Sequence, residues 1–249
     1  MYPFLFLVGL AAGLVDAIAG GGGVISLPVL LNLGYPVPLA LGTNKLQASF
    51  GSVAATVHYA RAGLIETSMV RLAVPPTLVG AGAGAVCVQY IDGRLLAQTV
   101  PWLLGAIVVY TLFRPTIGEH DHPAKMRMNV FFIAFGGVLG FYDGFFGPGT
   151  GSFWTIALVV VQGFSFLRAT ACTKLMNATS NVTSLAFFLY GGNVDFAAGA
   201  AMGAGQVVGA RLGTGLAFKR GARFIRPIFM AMVVLTVVRL VYVAMTKPS

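Results

Sequence analysis

The sequence predicts an all-α membrane fold made of two inverted-topology repeats, each a glycine-broken helical hairpin followed by three transmembrane helices. Three observations carry that expectation. Of the 249 residues, 57% are hydrophobic and only 9% are charged, against roughly 25% charged in a soluble domain. That is too little charge to clothe a water-facing surface. Apolar stretches of about 20 residues, the length that spans a bilayer, recur along the chain, with glycine clusters breaking two of them at equivalent places. Finally, the basic residues sort to one side of a membrane only if the two halves are inverted.

The first apolar region, residues 4–33, is broken by Gly20-Gly21-Gly22-Gly23. The N-terminus, Met1-Tyr2-Pro3-Phe4, lacks the basic region of a cleaved signal peptide, so it reads as the start of the mature chain. Unbroken spans are expected at 38–60, 69–91 and 95–113. A polar stretch from Arg114 to Arg127 then divides the chain nearly in half. The second half opens with residues 128–163, broken at Gly147-Pro148-Gly149-Thr150-Gly151, and continues with spans at 168–190, 195–217 and 225–246. The expected organisation is a first repeat at 1–113, a cytoplasmic loop at 114–127 and a second repeat at 128–249.

The halves match residue by residue. Gly13-Leu14-Val15-Asp16 echoes Gly140-Phe141-Tyr142-Asp143. After a shift of two residues, Gly34 aligns with Gly163, Lys45 with Lys174, Gly63 with Gly192 and Glu66 with Asp195. Gly80 and Gly84 align with Gly209 and Gly213; this Gly-x-x-x-Gly spacing on apolar helices reads as helix packing. A repeat this long means two membrane half-domains.

If each half held four simple spans, the basic residues would divide evenly between the two sides. If each glycine-broken region is a hairpin, the halves are inverted and both termini lie outside. Arg61, Arg71, Arg114, Lys125, Arg127, Arg168, Lys219, Arg220, Arg223 and Arg226 then all fall inside, leaving only Arg94 and Lys247 outside. The net charge of +9 is therefore a topology signal and excludes a nucleic-acid partner. Cys87 and Cys172 sit within apolar segments and imply no disulfide.

Broken helices at membrane depth survive only inside protein or beside a water-filled cavity. Their free N–H groups and N-terminal dipoles attract anions, so Gly21, Gly22, Gly23, Gly149 and Gly151 are candidate donors. The alternative is that the glycines merely permit tight hairpins. Lys45 and Lys174 lie inside apolar segments, where a charge costs about 2.5–3.5 kcal/mol on insertion scales. Either they attract an anion, or they snorkel or neutralise Asp16 and Asp143. Thr43, Asn44 and Gln47 flank Lys45, with Ser49 and Ser52 further along its face; Thr173, Asn177 and Asn181 surround Lys174. Amides and hydroxyls of this kind donate to anion oxygens or bond between helices. Asp16 and Asp143 either carry protons or brace the hairpins.

These same residues bring a resemblance. Asp16-Ala17-Ile18-Ala19-Gly20-Gly21-Gly22-Gly23, Pro28, Gly42-Thr43-Asn44-Lys45 and Gly140-Phe141-Tyr142-Asp143-Gly144-Phe145-Phe146-Gly147-Pro148-Gly149 resemble the signature of the TauE/SafE sulfite-exporter-like family. Ala178-Thr179-Ser180-Asn181 and Gly209-Ala210-Arg211 add to it. The resemblance covers essentially the whole chain and lies nearest the YfcA-type branch. It implies a bacterial inner-membrane transporter, expected to export small sulfur-containing anions such as sulfite or organosulfonates, with no cofactor and no metal. No Gly-Lys-Ser/Thr follows the glycine runs, so nucleotide binding is excluded and a gradient must drive transport. A passive anion channel of the same fold and a scaffold subunit are the rivals, with an intramembrane aspartyl enzyme using Asp16 and Asp143 further off. The expected partners are the small anion and the lipid bilayer; the sequence leaves a homodimer open.

Overall fold

The computed structural model describes residues 1–91 and 121–219. The third span expected in each half, 95–113 and 225–246, lies outside them, as does the connecting loop up to residue 120. Among the described residues there are eight helices and no strand. In chain order they are α1 (Tyr2–Ala19), α2 (Gly22–Asn32), α3 (Val37–Arg61), α4 (Thr67–Gln89), α5 (Met128–Phe145), α6 (Thr150–Val161), α7 (Phe166–Tyr190) and α8 (196–219). The two glycine-broken regions are the helical hairpins α1–α2 and α5–α6. Both α3 and α7 have 25 residues, about 37 Å at 1.5 Å per residue.

The surface is reversed relative to a water-soluble protein. Leu7, Val79, Ile133, Val138 and Leu212 are exposed, while Lys45, Lys174, Asn44, Gln47, Asp143 and Gln206 are buried. An apolar exterior around a polar interior suits lipid. Among the described residues, two helices, Thr67–Gln89 and Met128–Phe145, are long and apolar enough to pass as membrane spans by length and composition alone. The helices α3 and α7 carry the buried polar residues, which lowers their hydropathy.

Glycines fix the packing. On α4, a Cβ at Gly84 would lie 2.1 Å from the Phe141 carbonyl oxygen, and one at Gly80 would lie 2.4 Å from that of Gly137. On α8, a Cβ at Gly209 would lie 2.1 Å from the Leu10 oxygen, and one at Gly213 would lie 2.6 Å from that of Leu14. Backbones come this close only where no side chain intervenes. The contacts also give the directions. Residue numbers rise together along α1 and α8, along α4 and α5, and along α3 and α8, where Gly199 meets Leu46 and Gly203 meets Phe50. They run oppositely along α3 and α7, where Gly42 meets Phe188 while Ser52 meets Asn181.

Two apolar clusters form the ends of the bundle. One joins Leu5, Leu30, Leu41, Val88, Phe188 and Met202; the other joins Met69, Phe131, Trp154, Leu158, Phe164 and Met176. The buried polar residues form a belt between them. At the second end, Arg168 pairs with Glu66 (2.8 Å) and Asp121 (3.2 Å) and lies 4.2 Å over the Phe164 ring. Arg61, Arg71, Lys125, Arg127 and Lys219 belong to this end by their positions at the termini of α3, α4, α5 and α8. At the first end, Asp195 caps α8 by accepting the Ala198 N–H (3.0 Å), and it also accepts the Tyr35 hydroxyl (2.7 Å). These bonds, the Ala198 N–H foremost, hold the Asp195 carboxyl below the usual aspartate range.

Candidate functional site

The breaks are built by left-handed glycines. Gly20 (φ 74°) ends α1, and Gly147 (φ 96°) follows α5. A residue with a Cβ pays roughly 1–2 kcal/mol for that backbone region. Glycine serves a second purpose here, because the two hairpin turns touch. A Cβ on Gly20 would lie 2.7 Å from the Gly151 carbonyl carbon, and one on Gly151 would lie 2.6 Å from the Gly20 oxygen. Both first hairpin helices therefore end, and both second ones begin, at one place in the interior.

Each lysine crosses to the other half. The Lys45 ammonium donates to the backbone oxygen of Asp143 (2.5 Å), to its Oδ1 (2.7 Å) and to Asn181 Oδ1 (3.2 Å). The Lys174 ammonium donates to the backbone oxygen of Asp16 and to its Oδ2 (2.9 Å). Asp16 and Asp143 stand in the last turns of α1 and α5, at the ends that carry partial negative charge, and the Asp16 carbonyl also accepts the Gly20 N–H (2.8 Å). Each cation thus caps the C-terminus of the opposite half's broken helix and pairs with its carboxylate. The lysines do neutralise the aspartates, but crosswise between halves. The aspartates also brace the turns: Asp16 Oδ1 accepts the Gly22 N–H (3.3 Å), and Asp143 Oδ2 accepts the Ser180 hydroxyl.

A cavity of about 30 Å³ lies where the hairpins meet. Of the residues expected at the site, Asp16, Asp143, Lys45, Asn44, Asn177, Asn181, Gly21, Gly22, Gly23, Gly149 and Gly151 line it. Lys174 stands behind Asp16. Thr173 bonds instead to Thr155 (3.1 Å), and Gln47 to Ser26 and Asn44 (2.9 Å each). Thr43 turns away and accepts the Asp195 N–H (3.0 Å). The volume holds a water or two and is too small for an oxyanion of four heavy atoms. Asn177 Oδ1 is buried and has no hydrogen-bond partner, a group suited to face a ligand or water.

Several contributors were not singled out from sequence. Ser180 holds Asp143, Ser26 bonds Asn44 Oδ1 (2.5 Å), and Gln206 reaches Gln47 Oε1 (2.5 Å). Ala48 lines the cavity too, beside Gly147 of the expected glycine break. A helical-face count would have found two of these, since Ala48 follows Lys45 by three positions and Ser180 follows Asn177 by three.

Broken helices meeting around paired buried charges, inside a bundle with a lipid-facing exterior, form the architecture of a membrane transporter. The chain belongs to the sulfite exporter TauE/SafE family, whose profile matches residues 5–240. It is 42% identical over 238 residues to "Probable membrane transporter protein YfcA" of Escherichia coli K12, covering 96% of this chain and 88% of the relative. It is 40% identical over 242 residues to a "Probable membrane transporter protein" of Haemophilus influenzae, covering 97% and 95%. A Sinorhizobium relative, "Probable membrane transporter protein ORF9", is 40% identical over 240 residues, covering 96% and 92%. No solved structure matches this chain. The protein is a membrane transporter and not an enzyme.

Proposed function

We propose that the chain is a secondary transporter that exports small sulfur-containing anions, such as sulfite or organosulfonates, across the bacterial inner membrane. The observation that carries this is the crossed pairing of Lys45 with Asp143 and Lys174 with Asp16 around a cavity faced by the N-terminal ends of α2 and α6. In this reading the halves 1–113 and 128–249 are inverted repeats, and the loop 114–127 is cytoplasmic. The opposed run of α3 and α7, which are equivalent elements, supports that. So does the gathering of Arg61, Arg71, Lys125, Arg127, Arg168 and Lys219 at one end, which becomes the cytoplasmic face.

The anion is held near the middle of the membrane. Lys45 supplies charge, Asn44, Asn177 and Asn181 supply amide donors, and Gly21, Gly22, Gly23, Gly149 and Gly151 supply backbone N–H groups. Lys174 tunes the site from behind Asp16, while Thr43, Gln47 and Thr173 hold the surrounding helices. The crossed pairs clasp one half to the other, so rocking the halves to admit substrate loosens them.

The test is thermal unfolding of the purified protein with sulfite, sulfate, thiosulfate, taurine, sulfoacetate and simple carboxylates. A ligand of the folded state at about 100 times its Kd adds about 2.7 kcal/mol. Selective stabilisation by sulfur oxyanions or sulfonates supports the reading. Stabilisation by carboxylates alone, or by none, overturns the substrate class.

A further inference from the structure

We propose that an anion enters this site together with a proton that Asp16, and not Asp143, accepts, so that anion and proton cross the membrane in the same direction. This rests on the anion-site reading above. Lys45, Lys174, Asp16 and Asp143 are paired one to one, so their charges sum to zero. Both carboxylates line the cavity an anion must enter. A new negative charge beside two buried carboxylates favours protonation of one of them, because like charges repel most strongly where water is excluded.

Among the described residues, no other charged group lines this cavity or bonds Asp16. On α3, Tyr59 spends its hydroxyl on the Ala17 carbonyl (3.0 Å) and Lys45 is already charged. On α7 the charged neighbour is Lys174, and on α5 it is Asp143. The faces that α2, α6 and α8 present to Asp16 are glycine-rich, with Gln206 as the polar group nearby.

The two aspartates are not equivalent, although they occupy repeated positions. Asp143 is 5% exposed, and both its oxygens are held, by Lys45 at 2.7 Å and by Ser180. Asp16 is 17% exposed; Lys174 holds one oxygen at 2.9 Å, and the other takes a long 3.3 Å bond from Gly22. The repeat explains the difference. The position equivalent to Ser180 is Gly51, and its side-chain space is filled by Gln206, whose Oε1 would lie 2.1 Å from a Cβ there. The position equivalent to Asn181, which gives Lys45 its third acceptor, is Ser52, whose hydroxyl bonds the Ala48 carbonyl at 2.7 Å. The second half fastens its aspartate and lysine partner; the first half leaves its own carboxylate loosely held and open to the cavity.

The experiment uses ethanesulfonate, whose own charge is fixed near neutral pH, with purified protein in weakly buffered detergent solution. Calorimetry gives anion affinity, and a pH-indicating dye gives proton uptake. About one proton per anion is expected where Asp16 starts ionised, with affinity falling about tenfold per pH unit there. Infrared difference spectra should gain a protonated carboxyl band when the anion is added. Asp16→Asn should bind with neither proton uptake nor pH dependence. Ser180→Ala should leave the position of the pH dependence unchanged, whereas it would move if Asp143 were the acceptor. Anion binding without proton uptake or a new carboxyl band overturns the coupling and leaves the anion site standing. Uptake that persists in Asp16→Asn overturns the choice of aspartate. If neither ethanesulfonate nor any sulfur oxyanion binds, the anion-site reading fails and the coupling with it.

Discussion

Replacing Lys45 by Met keeps most of the side-chain volume and removes the charge. Lys45 is 1% exposed, and its ammonium has three acceptors. Its loss leaves the Asp143 carboxylate buried with only Ser180 as a donor, and leaves the end of α5 without its cation. Removing one member of a buried pair costs about 3–5 kcal/mol. At about 2–4 °C per kcal/mol for a chain of this size, the melting temperature in detergent should fall by roughly 6–20 °C. Lys174→Met should cost less, because the Asp16 carboxylate it strands is 17% exposed and opens on the cavity. The double variant Lys45→Met/Asp143→Leu should recover most of the loss, since an apolar pair of similar volume is often neutral. Acidification should narrow the gap between Lys45→Met and the wild type by neutralising the stranded carboxylate. A Lys45 variant as stable as wild type, or a double variant no better than the single, would refute the claim that the crossed pair holds the halves together.

Other substitutions test the remaining parts. Gly209→Val should lower stability by about 1–3 kcal/mol, because the added Cβ strikes the Leu10 carbonyl, whereas Gly34→Ala should cost only about 1–2 kcal/mol for its left-handed backbone, since open space surrounds it; melting temperatures in the reverse order would contradict the packing. Asp195→Ala removes the cap of α8 and should cost about 1 kcal/mol near neutrality. Because the Asp195 carboxyl titrates below its unfolded range, that stability is present above the ordinary aspartate range and is lost as pH falls through the lower folded value, so a persistent wild-type advantage in strong acid would count against it. In a background with Cys87 and Cys172 replaced by Ser, cysteines at Ala62 and Tyr190, exposed at the equivalent C-terminal ends of α3 and α7, should react with impermeant reagents from opposite faces; labelling from the same face would sink the inverted arrangement.

Much of this was legible because membrane helices announce themselves by length and composition. The expected spans at 38–60, 69–91, 168–190 and 195–217 became α3, α4, α7 and α8 with ends moved by a residue or two. The two glycine clusters marked the hairpins, since only glycine takes the backbone at Gly20 and Gly147 without strain. What local pattern could not give was the partner of each lysine. Asp143 lies 98 residues from Lys45, and their meeting depends on how the halves interlock, which no helical period encodes. Thr43 and Gln47 flank Lys45 in sequence, but at about 100° per residue they point roughly 200° away from it. Residues three and seven positions on, Ala48 and Ser52 or Asn177 and Asn181, share the lysine's face instead.

The charge balance at the centre also has an electrical meaning. Four fixed charges that cancel leave the cargo as the only net charge in transit. A monoanion travelling with one proton moves no charge and does not feel the membrane potential. A dianion travelling with one proton moves one negative charge, which a negative cell interior expels with about 2.3 kcal/mol per 100 mV. How strongly the membrane potential acts on such a transporter is then set by the valence of what it carries, with no change to the protein.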